Sequence, residues 1–536
     1  MELSLSKRSL IYILLLVIFC GILYLPSTVN RDLHYRDELR YVEVAREMAA
    51  AGTWLVPHFG GEFYSDKPPF YFWVLNLSKS IFGRYSTLAM VLPSIMAAII
   101  IVLLTSHFGK VILGEKYSLL PGLILATTLL FSGLAIFVRM DLLMAIFIIG
   151  ALLSFYMGYQ TKDDDRIKGR YYLLVYLLMG IATAIKGPAG FLVPLVVIPG
   201  FIILDGNLAE FKRLKLGKGL GVFLGVILLW LVPAVISGGK EYAYQLLVVQ
   251  TFGRAVNSFA HNKPFYYYLM TLPATTFPWS PLLISSFIYF IKQRKEITTD
   301  VKFLLAWFWL PLILFSLFSG KLVFYLLPIY PAAALLVAYL CQKVIKGEAN
   351  SKFLSIPVVL TICAFIAIGA AIPKSAEGIA LRALMNPARI SFMILGIFGL
   401  FLIFKKKYYW TPYLISLLVL IFIFNFSVAV VPLASKGYTK RPIANKLKQF
   451  REEKGVKNIV GFNYGEPESL AVYTGFLIHD INSKTKLVNY FQQRNEALAI
   501  MDQSAWQQVH KVLPMGAKKV YSSNDYTLIY YEGQDK

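Results

Sequence analysis

The run Lys7-Arg8-Ser9-Leu10-Ile11-Tyr12-Ile13-Leu14-Leu15-Leu16-Val17-Ile18-Phe19-Cys20-Gly21-Ile22-Leu23-Tyr24-Leu25 sets two cations ahead of an unbroken uncharged stretch. As a helix it approaches the roughly 20 residues that cross the hydrocarbon core of a bilayer. A basic start of this kind also begins secretory leaders. No small-residue cleavage site follows, however, and further apolar runs do, so an uncleaved first transmembrane helix is expected.

Runs of the same type recur as far as Val431. They fall near 9–26, 85–107, 117–137, 141–159, 171–186, 189–205, 219–236, 269–291, 302–319, 322–341, 353–372, 387–404 and 410–432. Most lack the polar stripe that a helix on a soluble core carries. Of the 536 residues 57% are hydrophobic and only 15% charged, against roughly 25% charged in an ordinary soluble domain. The fold class expected is an all-α multi-span membrane protein of about 13 transmembrane helices over residues 1–432. A small C-terminal α/β domain over 433–536 follows it.

The net charge of +23 is concentrated in alternate short connections: Lys7/Arg8, Lys110/Lys116, Lys162 to Arg170, Lys212 to Lys218, Lys292 to Lys302, Lys343 to Lys352 and Lys405 to Lys407. With thirteen spans these share one side, which the positive-inside rule makes cytoplasmic. That distribution explains the charge without nucleic acid. Cys20, Cys341 and Cys363 lie in or beside apolar spans, and form neither a metal-ligand spacing nor a disulfide framework.

The opposite side receives the loop 27–84, the turn Arg139–Asp141, Lys186, the loop 237–268, Lys321 and the C-terminal domain. In that domain Asn458 to Phe462, Val520 to Tyr521 and Thr527 to Tyr531 read as strands and Asn495 to Leu513 as helix. It carries no recognisable catalytic motif.

Nearly every polar cluster with chemical potential is on this outer side. In the first loop Leu39, Val42 and Ala49 share a helical face and Gly52 is a stop. An amphipathic helix lying in the interface is expected, with Asp37 near its first turn as a helix cap or as a reactive carboxylate. Asp66-Lys67-Pro68-Pro69 fixes a lysine ahead of two backbone-restricting prolines. It suits a lipid phosphate, or simple snorkelling among aromatic anchors. Arg139 and Asp141 sit between two spans with almost no loop, as a plain turn or as a functional charged pair. Lys186-Gly187-Pro188 is a helix stop or a further cation of the site. Arg254 and His261 occupy the second loop. Lys321 precedes Tyr325 by one turn, in a span that Pro328 and Pro331 should bend. Converging cations of this kind suit an anionic lipid headgroup.

The run Asp37-Glu38-Leu39-Arg40-Tyr41…Ala45-Arg46-Glu47-Met48…Gly52…Trp54…Pro57…Gly61…Asp66-Lys67-Pro68-Pro69 resembles the first outer loop of the aminoarabinose transferases that modify lipid A. More widely it resembles the protein mannosyltransferase superfamily of GT-C architecture. Lys186-Gly187-Pro188, Arg254 with His261, and Lys321…Tyr325-Leu326-Leu327-Pro328 follow in the order such proteins have them, so the resemblance covers about residues 10–432.

The resemblance implies a thirteen-span protein of the bacterial inner membrane, with its active site and C-terminal domain on the periplasmic face. It implies a polyprenyl-phosphate sugar donor such as undecaprenyl phosphate and, as acceptor, lipid A or another envelope lipid or glycan. Asp37 matches the catalytic acid and Lys67 the ligand of the carrier phosphate, while Arg254 and Tyr325 match phosphate contacts. Asp141 is the second catalytic candidate, orienting Arg139 or the acceptor. Glu38, Arg40, Tyr41, Asp66, Arg139, Lys186, His261 and Lys321 complete the expected substrate-binding set. No cofactor is required; a divalent metal contact is left open at Asp66, where relatives usually have Glu. Two other readings stand beside this one. A protein O-mannosyltransferase-like enzyme would share the donor and take Ser or Thr acceptors. A lipid-linked sugar transporter would instead carry its polar site at the bilayer midplane, on paired repeats.

Overall fold

The computed structural model describes residues 6–34, 36–162, 164–253, 262–370, 376–523 and 526–533. The chain forms two compact units. One comprises Met1–Arg31, Asp66–Tyr71 and Val91–Ala434; the other comprises Asp32–Ser65, Phe72–Met90 and Ser435–Lys536.

The first unit is helical. Among the described residues eight helices are long and apolar enough to cross a membrane: Lys7–Val29, Thr87–Leu113, Met140–Gln160, Leu216–Val249, Thr299–Leu317, Val323–Ile345, Asn386–Phe404 and Tyr408–Ala429. The count reaches ten if two bent pairs are each one span, Glu115–Ala126 with Leu129–Ala135 at 72° and Tyr267–Thr275 with Ser280–Lys292 at 118°. The three remaining apolar segments are helices as well, Asp165–Lys186, Ala189–Asp205 and Lys352–Ala370. At the first bend Thr127 and Thr128 turn their hydroxyls back onto the carbonyls of Leu123 (2.6 Å) and Ile124 (2.8 Å), bonds of a kind that favours bending. The Trp279 indole then donates to Thr127 Oγ1 at 3.0 Å and ties the two breaks together.

Burial in this unit is that of a protein dissolved in lipid. Leu229 and Ile236 point outward, 82% and 77% exposed, while aromatic rings fill the interior, Tyr156 against Phe303 at 4.6 Å and Phe108 edge-on to Tyr156 at 5.0 Å. The Trp307 indole, also buried, donates to the carbonyl of Pro328 at 2.8 Å. It thereby holds a 3₁₀ turn, Val323–Ile329, in front of the helix Tyr330–Ile345. The two prolines thus give a tightened first turn followed by a regular helix.

The second unit contains the helix Asp37–Ala51, ended by Gly52 at φ 70° as the sequence predicts. The helix does not rest on an interface by one face alone. Leu39, Val42 and Met48 are buried, and so are Glu38, Glu43 and Glu47, and these positions together run round much of the helix, so it is a core element of its unit. A two-strand hairpin follows, β1 (His58–Phe59) and β2 (Glu62–Phe63).

The C-terminal residues form a five-stranded sheet of β3 (Ile459–Phe462), β4 (His479–Ile481), β5 (Glu496–Asp502), β6 (Ala517–Ser522) and β7 (Tyr526–Glu532), in the order β4-β3-β5-β7-β6. β3 runs parallel to β4 and β5, and β7 antiparallel to β5 and β6. Two apolar layers include Ile443, Leu447, Leu498 and Leu528 on one side, and Phe462, Leu487, Phe491 and Ile529 on the other. The expected strands are strands. The helix expected over Asn495–Leu513 is instead β5 followed by the short helix Gln503–Val509. Ala, Leu and Met favour helix locally, but five consecutive buried residues at the centre of a sheet override that preference.

Candidate functional site

The expected site residues divide between the two units. In the first, Arg139 is still extended (φ −144°, ψ 135°) where the helix Met140–Gln160 begins, which sets Asp141 in the opening turn, a favourable place for a carboxylate. Asp141 is 2% exposed. One of its oxygens accepts from Arg139 Nε at 3.2 Å and the other from the Lys186 ammonium. Lys186 is the last residue of Asp165–Lys186, with Gly187 at φ 78° beyond it, so it is both a helix terminus and part of the cluster. Ser94 fixes the Arg139 backbone, donating to its carbonyl at 3.2 Å.

Under both cations lies the 3₁₀ turn. The Phe324 ring centre is 4.1 Å from Arg139 Cζ and 5.2 Å from Lys186 Nζ, and Tyr325 is 5.6 Å from the same ammonium. Two cations, one carboxylate and two aromatic faces from three chain segments thus share one end of the bundle. Burying a carboxylate there requires its counter-charges, and guanidinium and ammonium groups so placed are suited to a phosphate.

Other expected residues of this unit have different surroundings. Lys321 is 2% exposed and donates to the carbonyls of Lys263 (2.9 Å) and Phe318. With the bridge between Asn262 and Gly320, it seals the end of the second outer loop against the chain before the 3₁₀ turn. Lys67 Nζ donates to the Asp66 carbonyl at 3.0 Å. Arg254 and His261 lie outside the described residues.

In the second unit Asp37 is exposed in the first turn of its helix. It is not the cap: that position belongs to Arg36, which makes no side-chain cap bond and stands at φ 68°, ψ −98°. A non-glycine residue there is held against a cost of roughly 1–3 kcal/mol, a feature that clusters at functional sites. Glu38, 2% exposed, accepts the His34 amide at 2.6 Å. Arg40 donates Nε to Glu466 at 2.9 Å and a second bond to the same carboxylate. Burial works against the Arg40 charge, but Glu466 more than offsets it, so the guanidinium is held more firmly protonated than usual. Tyr41 packs on Phe72 at 6.3 Å. Glu38, Arg40 and Tyr41 therefore shape the ground around Asp37.

Sequence reasoning missed Phe324 and Glu466. Phe324 adjoins Tyr325 in a motif already singled out and was within reach. Glu466 is 426 positions from Arg40 and carries no motif.

Residues 66–236 match the family described as dolichyl-phosphate-mannose-protein mannosyltransferase. Over 354 residues the chain is 28% identical to the undecaprenyl phosphate-alpha-4-amino-4-deoxy-L-arabinose arabinosyl transferase of Enterobacter sp. (strain 638), covering 64% of this chain and 62% of that protein. It is 31% identical to the same-named protein of Aeromonas salmonicida (strain A449), over 63% and 61%. The alignments thus span less than two thirds of these relatives' length. The fold is similar to that of ArnT from Cupriavidus metallidurans bound to undecaprenyl phosphate, with a TM-score of 0.77 at 16% identity over 97% of both chains.

Proposed function

From a multi-span membrane chain that is ArnT-like, within the GT-C superfamily, we infer a glycosyltransferase that takes a sugar from a polyprenyl phosphate. The sugar is of the 4-amino-4-deoxy-L-arabinose class and the carrier is undecaprenyl phosphate. The acceptor is lipid A or another envelope lipid or glycan. The observation that carries the reading is the agreement of sequence kinship over 64% of the chain with a shared fold over 97% of it. The bias of basic residues toward alternate connections supports an active site on the periplasmic face of the bacterial inner membrane.

The reaction is one inverting displacement. An acceptor oxygen forms a bond to the anomeric carbon as the bond from that carbon to the phosphate oxygen breaks. Asp37 takes the acceptor's proton. The leaving polyprenyl phosphate gains charge, and Lys67 with Arg254 and Tyr325 stabilises it. Exposure of Asp37 on a helix start held by a left-handed Arg36 supports the first role. The Asp141 cluster supports a second, as a fixed polar wall that orients Arg139 and Lys186 toward an anionic group.

The description of the matched family favours a second acceptor class, protein Ser or Thr. One experiment covers both. Purified protein is given a radiolabelled polyprenyl-phosphate sugar and separate pools of lipid A, glycan and protein, with Asp37→Asn alongside. Label in the lipid or glycan pool, strongly reduced in the variant, is expected. Label in protein would replace the acceptor, and no transfer from any donor would overturn the glycosyltransferase.

A further inference from the structure

The chain around Asp37 is strapped on both sides by residues near the C-terminus. We propose that Glu466, Arg441 and Tyr473 are positioning residues for the Asp37 carboxylate, a proposal that rests on the role given to Asp37 above.

Upstream of Asp37, Asp32 is clamped. Arg441 reaches one of its oxygens through Nε (2.9 Å) and Nη2 (2.8 Å), and Thr439 Oγ1 donates to the other at 2.6 Å. The Asp32 amide donates to Ser435 Oγ at 2.9 Å. At the next residue the Leu33 amide donates to the Tyr473 hydroxyl at 3.2 Å, and the Arg441 guanidinium lies 4.8 Å from the Tyr473 ring centre. The His34 ring is 5.0 Å from Tyr438. Downstream, Arg40 is held by both oxygens of Glu466. Glu466 is itself fixed at the head of a tight turn, where Ser469 donates both its amide (3.1 Å) and its hydroxyl (2.7 Å) to the Glu466 carbonyl.

Residues 32–40 are therefore fastened at 32, 33 and 40, all by partners between 435 and 473. The left-handed Arg36 falls inside this span, and such a conformation persists only where its surroundings over-determine it. Arg40 follows Asp37 by one helical turn, where side chains are neighbours, and the Asp37 charge acts on the Arg40 guanidinium. With Glu466 present, the guanidinium is committed to the C-terminal residues. Without it, Arg40 can close onto Asp37 and withdraw the carboxylate from an acceptor hydroxyl. The C-terminal residues, which bear no catalytic motif, thus set where the reacting oxygen stands.

The test uses the full-length protein with Glu466→Gln and Tyr473→Phe, each alone and combined with Asp37→Asn, and separates kcat from donor KM by single-turnover and steady-state transfer. In the wild-type background kcat should fall about tenfold or more with donor KM within about twofold, as expected for a displaced reacting group. Glu466→Asp should recover part of the rate. In the Asp37→Asn background neither substitution should lower the residual rate further, because the group they position is already gone. The same fold-loss with and without Asp37 would make the straps structural supports and overturn the proposal. So would an unchanged kcat. If Glu466→Gln does not fold, Tyr473→Phe, which removes one hydroxyl, carries the same two criteria. Absence of transfer by the wild type would overturn the functional reading itself, whereas transfer with normal straps-off kinetics would overturn only this one.

Discussion

The guanidinium carbon of Arg139 stands 4.1 Å from the centre of the Phe324 ring. Its Nε meanwhile reaches Asp141, which also holds Lys186, so a single buried carboxylate organises two cations. Asp141→Asn removes the counter-charge while both cations stay largely buried, 17% and 11% exposed as side chains. The expected loss is about 3–5 kcal/mol. Adding Lys186→Met deletes one of the stranded charges and should recover part of it. Thermal unfolding in detergent checks the order: wild type highest, the double variant intermediate, Asp141→Asn lowest. A double variant no better than the single one would mean that the loss is not electrostatic.

Trp307 acts on the same cluster from below. Its indole bond to the Pro328 carbonyl fixes the 3₁₀ turn that carries Phe324 and Tyr325. Trp307→Phe keeps an aromatic ring among Phe108 and Phe303 and leaves a buried carbonyl unpaired, at about 1–3 kcal/mol. Transfer activity should fall along with stability, because the turn can then shift under Arg139 and Lys186. Stability lost at full activity would separate the turn from the chemistry.

The spans were legible because lipid imposes a crude rule, length and apolarity, that needs no partner to be read: each of the thirteen apolar segments is a helix or a bent helical pair. The first bend was less so, since the threonine hydroxyls turned back at positions 127 and 128 belong to a residue type that does not always break helices. β5 misread as helix because its composition is decided by burial in a sheet centre, a property of the neighbours. At the site, the pairing of Arg139, Asp141 and Lys186 was partly legible through charges stranded at span ends. The bond from Arg40 to Glu466 was not legible, because the two residues lie 426 positions apart.

Glu43 gives the second unit a pH dependence. It is fully buried beside Glu47, and burial, only partly offset by a bidentate Arg46, pushes its carboxyl from 4.5 up to about 8. The folded protein then binds a proton that the unfolded chain releases above about 4.5, so stability is fully present below that pH and is lost as pH rises toward 8. The scale is on the order of a few kcal/mol. Unfolding temperature should drop between pH 5 and pH 8, and Glu43→Gln, which cannot ionise, should flatten this interval. A slope unchanged in the variant would assign the effect to another group.

Gly60 and Gly52 separate two costs of adding a methyl group. Both have positive φ, 64° and 70°, so alanine at either carries the left-handed penalty of about 1–2 kcal/mol. At Gly52 the new carbon meets open space. At Gly60 it would stand 2.7 Å from Glu468 Cγ. Glu468 cannot simply swing aside, because its carboxylate accepts the Asp480 amide at 3.3 Å and it is half-buried. The Gly60 and Gly61 amides are in turn fixed to the Glu47 carboxylate at 2.7 and 3.0 Å, so the hairpin cannot retreat either. Gly60→Ala should therefore lower the unfolding temperature clearly more than Gly52→Ala. Combining it with Glu468→Ala should bring its penalty back toward the Gly52→Ala value. If the two glycines cost the same, the hairpin yields, and Glu47 does not anchor it as tightly as its two bonds imply.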